Sequence, residues 1–154
     1  MKSRVFFVWS TLILAFLGIA DSLYLAQHEI TDTALSCGVG NLSGCNVVAQ
    51  SPYSHLLGIP LGVWGIAFYV LVLAVFLAMF SKQRPLYFKA FALLTTVGLL
   101  LSVYFFYLQL YVIKAICIYC MGSFALTILL FVLSIALWRK PRLLSRTVPE
   151  HISS

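Results

Sequence analysis

The chain has 154 residues, of which 62% are hydrophobic and 9% charged, whereas soluble domains run at about 45–50% apolar and ~25% charged. That composition excludes a soluble enzyme, and the length holds one compact domain with no separate soluble module. The net charge of +6 does not mark a nucleic-acid binder: there is no basic amphipathic face, and the basic residues cluster at the ends of apolar runs, where they orient membrane helices.

The first run, residues 5–27, follows Lys2 and Arg4. Gly18-Ile19-Ala20 resembles a signal-cleavage site, but the apolar stretch continues through Leu23, Tyr24 and Leu25 to roughly the 20 residues that cross a bilayer, longer than a signal core. A retained helix is expected. Asp21 lies within it, and a carboxylate there costs about 2.5–3.5 kcal/mol on insertion scales unless it finds a partner, water or a proton. Asp21 is therefore a candidate for a proton role, or for a structural one near headgroup water. Residues 28–57 form the only sizeable polar loop, with Cys37, Cys45, Ser51 and His55 and with Gly38, Gly40, Gly44 and Pro52 as turn formers. Val47-Val48-Ala49 is too apolar for a free linker, so the loop is expected to lie over the helix ends. Ser51-Pro52 predicts a short interfacial helix from Ser51 to Leu57. Asn41-Leu42-Ser43 matches a glycosylation sequon, a pattern common by chance and placed here inside a tight cysteine loop.

The second span is expected over residues 58–80, with Gly58, Pro60, Gly62 and Gly65 loosening its first turns for close approach of a helix or ligand. A basic loop with Lys82, Arg84 and Lys89 and with Pro85 as breaker leads to a third span, 90–112. A short connection around Lys114 leads to the fourth, 116–138, and Arg139, Lys140, Arg142 and Arg146 mark the tail, 139–154. Two basic residues at the N-terminus, three in the second connection and four in the tail stand against Lys114 alone on the other side, which puts both termini in the cytoplasm. All four cysteines then face outward, where disulfides persist and two are chemically permitted. The expected fold class is all-α integral membrane: a four-transmembrane-helix bundle with an extracytoplasmic loop and short helix capping the site.

Cys117-Ile118-Tyr119-Cys120 opens the last apolar run. Two thiols at this spacing cycle between dithiol and disulfide, and the unsatisfied N–H groups of a helix start favour thiolate. The plain alternative is a structural bridge or two small packing residues. A loop disulfide Cys37/Cys45 above this pair makes a two-step relay by thiol exchange. No haem, flavin or iron–sulfur motif is present to take the electrons, and Cys37-x7-Cys45 is too wide for the usual zinc knuckle, so no metal is expected. The apolar bundle interior is the remaining site, where a lipid-soluble quinone from the bilayer would meet Cys120.

Cys37-x7-Cys45, Ser51 six positions on, Gly58-Ile59-Pro60 followed by Trp64-Gly65, and the closing C-x-x-C together resemble the vitamin K epoxide reductase family, in its prokaryotic form without a fused thioredoxin domain. The similarity covers about residues 5–138. It implies a four-helix bundle around a quinone of ubiquinone, menaquinone or vitamin K type. It further implies that Cys37 takes electrons from an exported thioredoxin-like, DsbA-type protein, that Cys45 hands them to Cys117, and that Cys120 faces the quinone. Ser51 is implied to hydrogen-bond near the quinone carbonyl, with Trp64 and Phe124 also at the quinone. The implied role is a thiol:quinone oxidoreductase of the inner cell membrane supporting disulfide formation. Animal enzymes that reduce the epoxide carry asparagine and tyrosine where Leu61 and Phe124 stand, which weighs against the alternative of a vitamin K quinone or epoxide reductase. Many bacterial relatives continue into a thioredoxin-like domain; this chain ends at Ser154, so the partner is expected in trans. In DsbB-type proteins the C-x-x-C pair comes first, the reverse of the order here. The reading from another class is a non-catalytic, disulfide-stapled or metal-handling membrane protein.

Overall fold

The structure, a computed structural model, describes residues 2–31, 33–35, 44–82 and 84–139. Cys37, the sequon at Asn41 and the tail beyond Arg139 lie outside these residues. Five α-helices are described: α1 (Lys2–Thr31), α2 (Cys45–Ala49), α3 (Leu61–Lys82), α4 (Pro85–Tyr107) and α5 (Ile118–Arg139). The four long ones supply four segments apolar and long enough to cross a membrane: Val5–Thr31, Leu61–Met79, Pro85–Ile113 and Ile118–Arg139. The expected all-α four-helix membrane bundle is what forms. Neighbours run in the cyclic order α1, α3, α4, α5, with α5 closing back on α1.

Apolar residues at helical spacing build the core. Tyr69, Val72, Phe76 and Met79 share one face of α3 and meet Phe91 of α4 and Leu130 and Leu137 of α5. Large side chains such as Phe16, Leu77, Leu100 and Leu129 point outward instead, as helices solvated by lipid require. Small residues let the backbones close up: a Cβ on Gly62 would strike the backbone nitrogen of Ala26, and one on Gly98 the ring of Phe68. Gly62→Ala is therefore expected to lower stability by about 1–3 kcal/mol, read as a lower midpoint of thermal unfolding in detergent.

Several boundaries differ from those read in the sequence. The first helix runs on to Thr31, so Glu29 belongs to it rather than to the loop, and its Oε2 accepts the Gly62 N–H at 3.2 Å. A carboxylate thereby answers an unpaired donor in the first turn of α3. The interfacial helix expected over Ser51–Leu57 does not form. The short helix is α2, earlier in the loop, and Ser51 follows its end. His55–Leu56 and Ile59–Pro60 then pair as a minimal antiparallel hairpin, β1 and β2, with Leu56 opposite Ile59. Leu57 and Gly58, with φ of 57° and 78°, make its two-residue turn, the left-handed backbone that such a hairpin needs. The second span consequently starts at Leu61. Pro85, expected as a breaker, instead occupies the first turn of α4, where its missing N–H costs nothing, and Lys89 joins the helix. The third span continues beyond Tyr107 as a π-helical segment, Leu108–Ile113, closed by Lys114 at φ 57°.

Candidate active site

Leu35, Cys45 and Cys117 form a buried cluster at one end of the bundle, with Tyr24, Leu25, Val48, Ala49, Ile118, Tyr119 and Cys120 packed against it. Three of the four cysteines are thus brought together, and the fourth, Cys37, lies outside the described residues. Cys45 is disulfide-bonded, whereas Cys117 and Cys120 are free thiols. Asn46 fastens this loop: its Oδ1 accepts the Leu35 N–H at 2.8 Å and its Nδ2 donates to the Leu35 carbonyl at 3.4 Å. Tyr24 on α1 packs against Tyr119 with ring centroids 4.8 Å apart, bringing α1 to the dithiol.

Cys117 stands immediately before α5. Its carbonyl accepts the Met121 N–H at 3.0 Å, and its own N–H is given to Gln109 Oε1 at 3.1 Å. The thiol of Cys120 donates to the Cys117 sulfur and holds the Cys117 pKa down to about 7; burial opposes this, the backbone N–H groups of Cys120 and Tyr119 reinforce it, and the charge of Asp21 works against it. The thiolate stabilisation expected at this helix start thus falls on Cys117. Cys117 is only 1% exposed because the loop helix and Gln109 cover it, while Cys120 is half-buried.

Both thiols, and Cys45, line a cavity of about 220 Å³ that runs into the bundle among α1, α3, α4 and α5. Its wall is mostly apolar. Phe106 and Phe124 stack across α4 and α5 with centroids 5.2 Å apart, and both line it together with Leu61, Phe68 and Phe105. Ser51 and Trp64 line it too. The Ser51 hydroxyl donates to the Val48 carbonyl at 2.7 Å, so a bond from it to a bound carbonyl competes with this internal one. Trp64 Nε1 donates to the Leu56 carbonyl at 3.2 Å and ties the hairpin to α3, which leaves its ring for packing. Asp21 sits beside Ser22, a lining residue, and its Oδ2 is buried with no hydrogen-bond partner among the described residues.

The wall also holds polar residues that pattern reading passed over. Tyr69 on α3 hydrogen-bonds Ser123 Oγ at 2.8 Å and Thr127 Oγ1 at 3.3 Å on α5, a hydroxyl cluster one to two turns below Cys120. Gln109 is the only amide in the third apolar run, and a buried amide in a membrane helix was the available signal.

Two free cysteines at a helix start thus sit over an apolar cavity inside four helices long and apolar enough to cross a membrane. The family model for the vitamin K epoxide reductase family matches residues 9–135, and the chain belongs to that family. It is accordingly a membrane redox enzyme of the family, an oxidoreductase. No curated protein matches the chain.

Proposed function

We propose that the protein is a thiol:quinone oxidoreductase that re-oxidises an exported thioredoxin-like protein of the DsbA type and passes the electrons to a membrane quinone. The observation that carries this reading is the continuity of Cys45, Cys117 and Cys120 with the apolar cavity. A cavity with aromatic walls, a few hydroxyls and two thiols suits a planar uncharged ring with carbonyl groups better than a charged ligand. A partner thiolate attacks Cys37 and frees Cys45, which attacks Cys117 and expels Cys120 toward the cavity. The partner closes its own disulfide and releases Cys37, which attacks Cys45, restoring the Cys37–Cys45 disulfide and leaving Cys117 and Cys120 reduced. The reduced pair then loses two electrons and two protons and joins as a disulfide, while the quinone gains both and becomes a quinol. The charge pattern supports an inner-membrane orientation with both termini cytoplasmic and the cysteines outside.

The test is a steady-state assay of the purified protein with a reduced DsbA-type protein and a short-chain quinone. The expected result is quinol formed in step with partner disulfide, and none after Cys45→Ser. Quinol formation that needs no Cys45 would contradict the relay order. In intact cells a membrane-impermeant thiol reagent should label reduced Cys37; labelling only after lysis would overturn the orientation.

A further inference from the structure

Gln109 lies in the π-helical segment that ends the third span. It is 4% exposed and lines the cavity. Its Oε1 accepts the Cys117 N–H. Since that N–H needs an oxygen, the bond fixes the amide with oxygen toward Cys117 and nitrogen away from it. Nε2, with two protons to give, has no hydrogen-bond partner among the described residues. Nε2 is not sealed inside the protein, since Asp21 Oδ2 is the buried side-chain atom left without a partner among the described residues; Gln109 lines the cavity, and a carbonyl bound there is an acceptor Nε2 can use. Three other lining donors are already engaged: Ser51 with Val48, Trp64 with Leu56 and Tyr69 with Ser123. The backbone adds to the picture. The Ala115 N–H returns to the Gln109 carbonyl at 3.2 Å, so Gln109 braces the turn into α5 from both main chain and side chain, in a π segment of the kind that recurs at functional sites.

We propose that Gln109 Nε2 donates a hydrogen bond to a carbonyl oxygen of the bound quinone while Oε1 holds Cys117 in register, so that one amide couples acceptor binding to the redox thiol. This rests on the quinone-reducing reading above. As the thiols give up their two electrons and two protons and form the disulfide, the carbonyl oxygen gains electron density, and the bond from Nε2 strengthens along the way.

The experiment uses the full chain in detergent with a short-chain benzoquinone. Gln109→Glu, assayed at a pH where the carboxyl is ionised, keeps an oxygen for the Cys117 N–H and removes the donor; Gln109→Leu removes both. Both variants are expected to raise the quinone KM, and the quinone Kd read from tryptophan fluorescence quenching, about three- to tenfold. Exchange of dithiothreitol with the Cys117–Cys120 disulfide should slow in Gln109→Leu, which leaves the Cys117 N–H unpaired, and the Cys117 midpoint should rise in Gln109→Glu, whose carboxylate adds a negative charge beside the thiol. An unchanged quinone KM and Kd in Gln109→Glu, with wild type active, overturns the proposal and leaves the function reading standing. A wild-type protein that reduces no quinone overturns both. If Gln109→Leu fails to fold, the Glu variant alone decides.

Discussion

Cys120→Ser is expected to cut turnover by at least about 10³-fold and to leave the protein carrying a Cys45–Cys117 bridge. Attack of the Cys45 thiolate on Cys117 requires a leaving sulfur, and in the wild type that is Cys120, half-buried at the cavity. Without it the resolving thiol is gone, while Cys45 and Cys117 remain packed in one buried cluster and an oxidant joins them. A protease site placed between the second and third spans makes this visible: on non-reducing gels the two halves should migrate together in Cys120→Ser and separate on reduction. Linkage found only in Cys117→Ser, through Cys45 and Cys120, would mean that the exchange and quinone-facing roles are the reverse of those assigned.

The second large effect is in pH. With the Cys117 pKa held near 7, the thiolate fraction falls about fiftyfold between pH 7 and pH 5, and thiolate ultraviolet absorbance and the rate of alkylation by a small reagent should fall with it. The groups that set the midpoint are the Cys120 thiol, the N–H groups of Cys120 and Tyr119, and Asp21. Cys120→Ala removes the largest of these and should move the midpoint up toward the ordinary thiol value. Asp21→Asn removes an opposing charge and should move it down; an unmoved midpoint would return Asp21 to a structural role. The sign for stability follows from the depressed pKa. In the reduced protein this ionisation stabilises the fold fully above the unfolded thiol pKa, and the contribution is lost as pH falls through about 7. A wild-type midpoint in the ordinary cysteine range would refute the proposed sulfur–sulfur hydrogen bond.

Much of the fold was legible because membrane helices announce themselves by length and apolarity, and four such runs leave little freedom in architecture. The loop was less legible. Ser51-Pro52 has the composition of a helix start, yet the helix forms earlier, over Cys45–Ala49, where the apolar Val47-Val48-Ala49 stretch lies and Cys45 is buried as its first residue. Pro85 reads equally as a breaker or a first-turn residue, and only the helix that follows decides. Of the residues named from spacing and resemblance, Cys45, Cys117, Cys120, Ser51, Trp64 and Phe124 line the cavity. The hydroxyl cluster of Tyr69, Ser123 and Thr127 could not be named that way, because it joins residues more than 50 positions apart whose types are ordinary in any helix. The pairing of Gln109 with Cys117 depends on the π segment that turns the amide back over the start of α5, and nothing in hydropathy foretells that geometry.

The most direct measurement is a single anaerobic turnover. The purified protein, reduced at Cys117 and Cys120 and freed of reductant, is mixed with one equivalent of a short-chain quinone, and quinol and disulfides are quantified together. One quinol should form per protein, with the Cys117–Cys120 disulfide recovered by mass spectrometry and Cys120→Ser giving none. Quinone left intact beside a reduced Cys117/Cys120 pair, or quinol formed with that pair still reduced, would contradict the assignment.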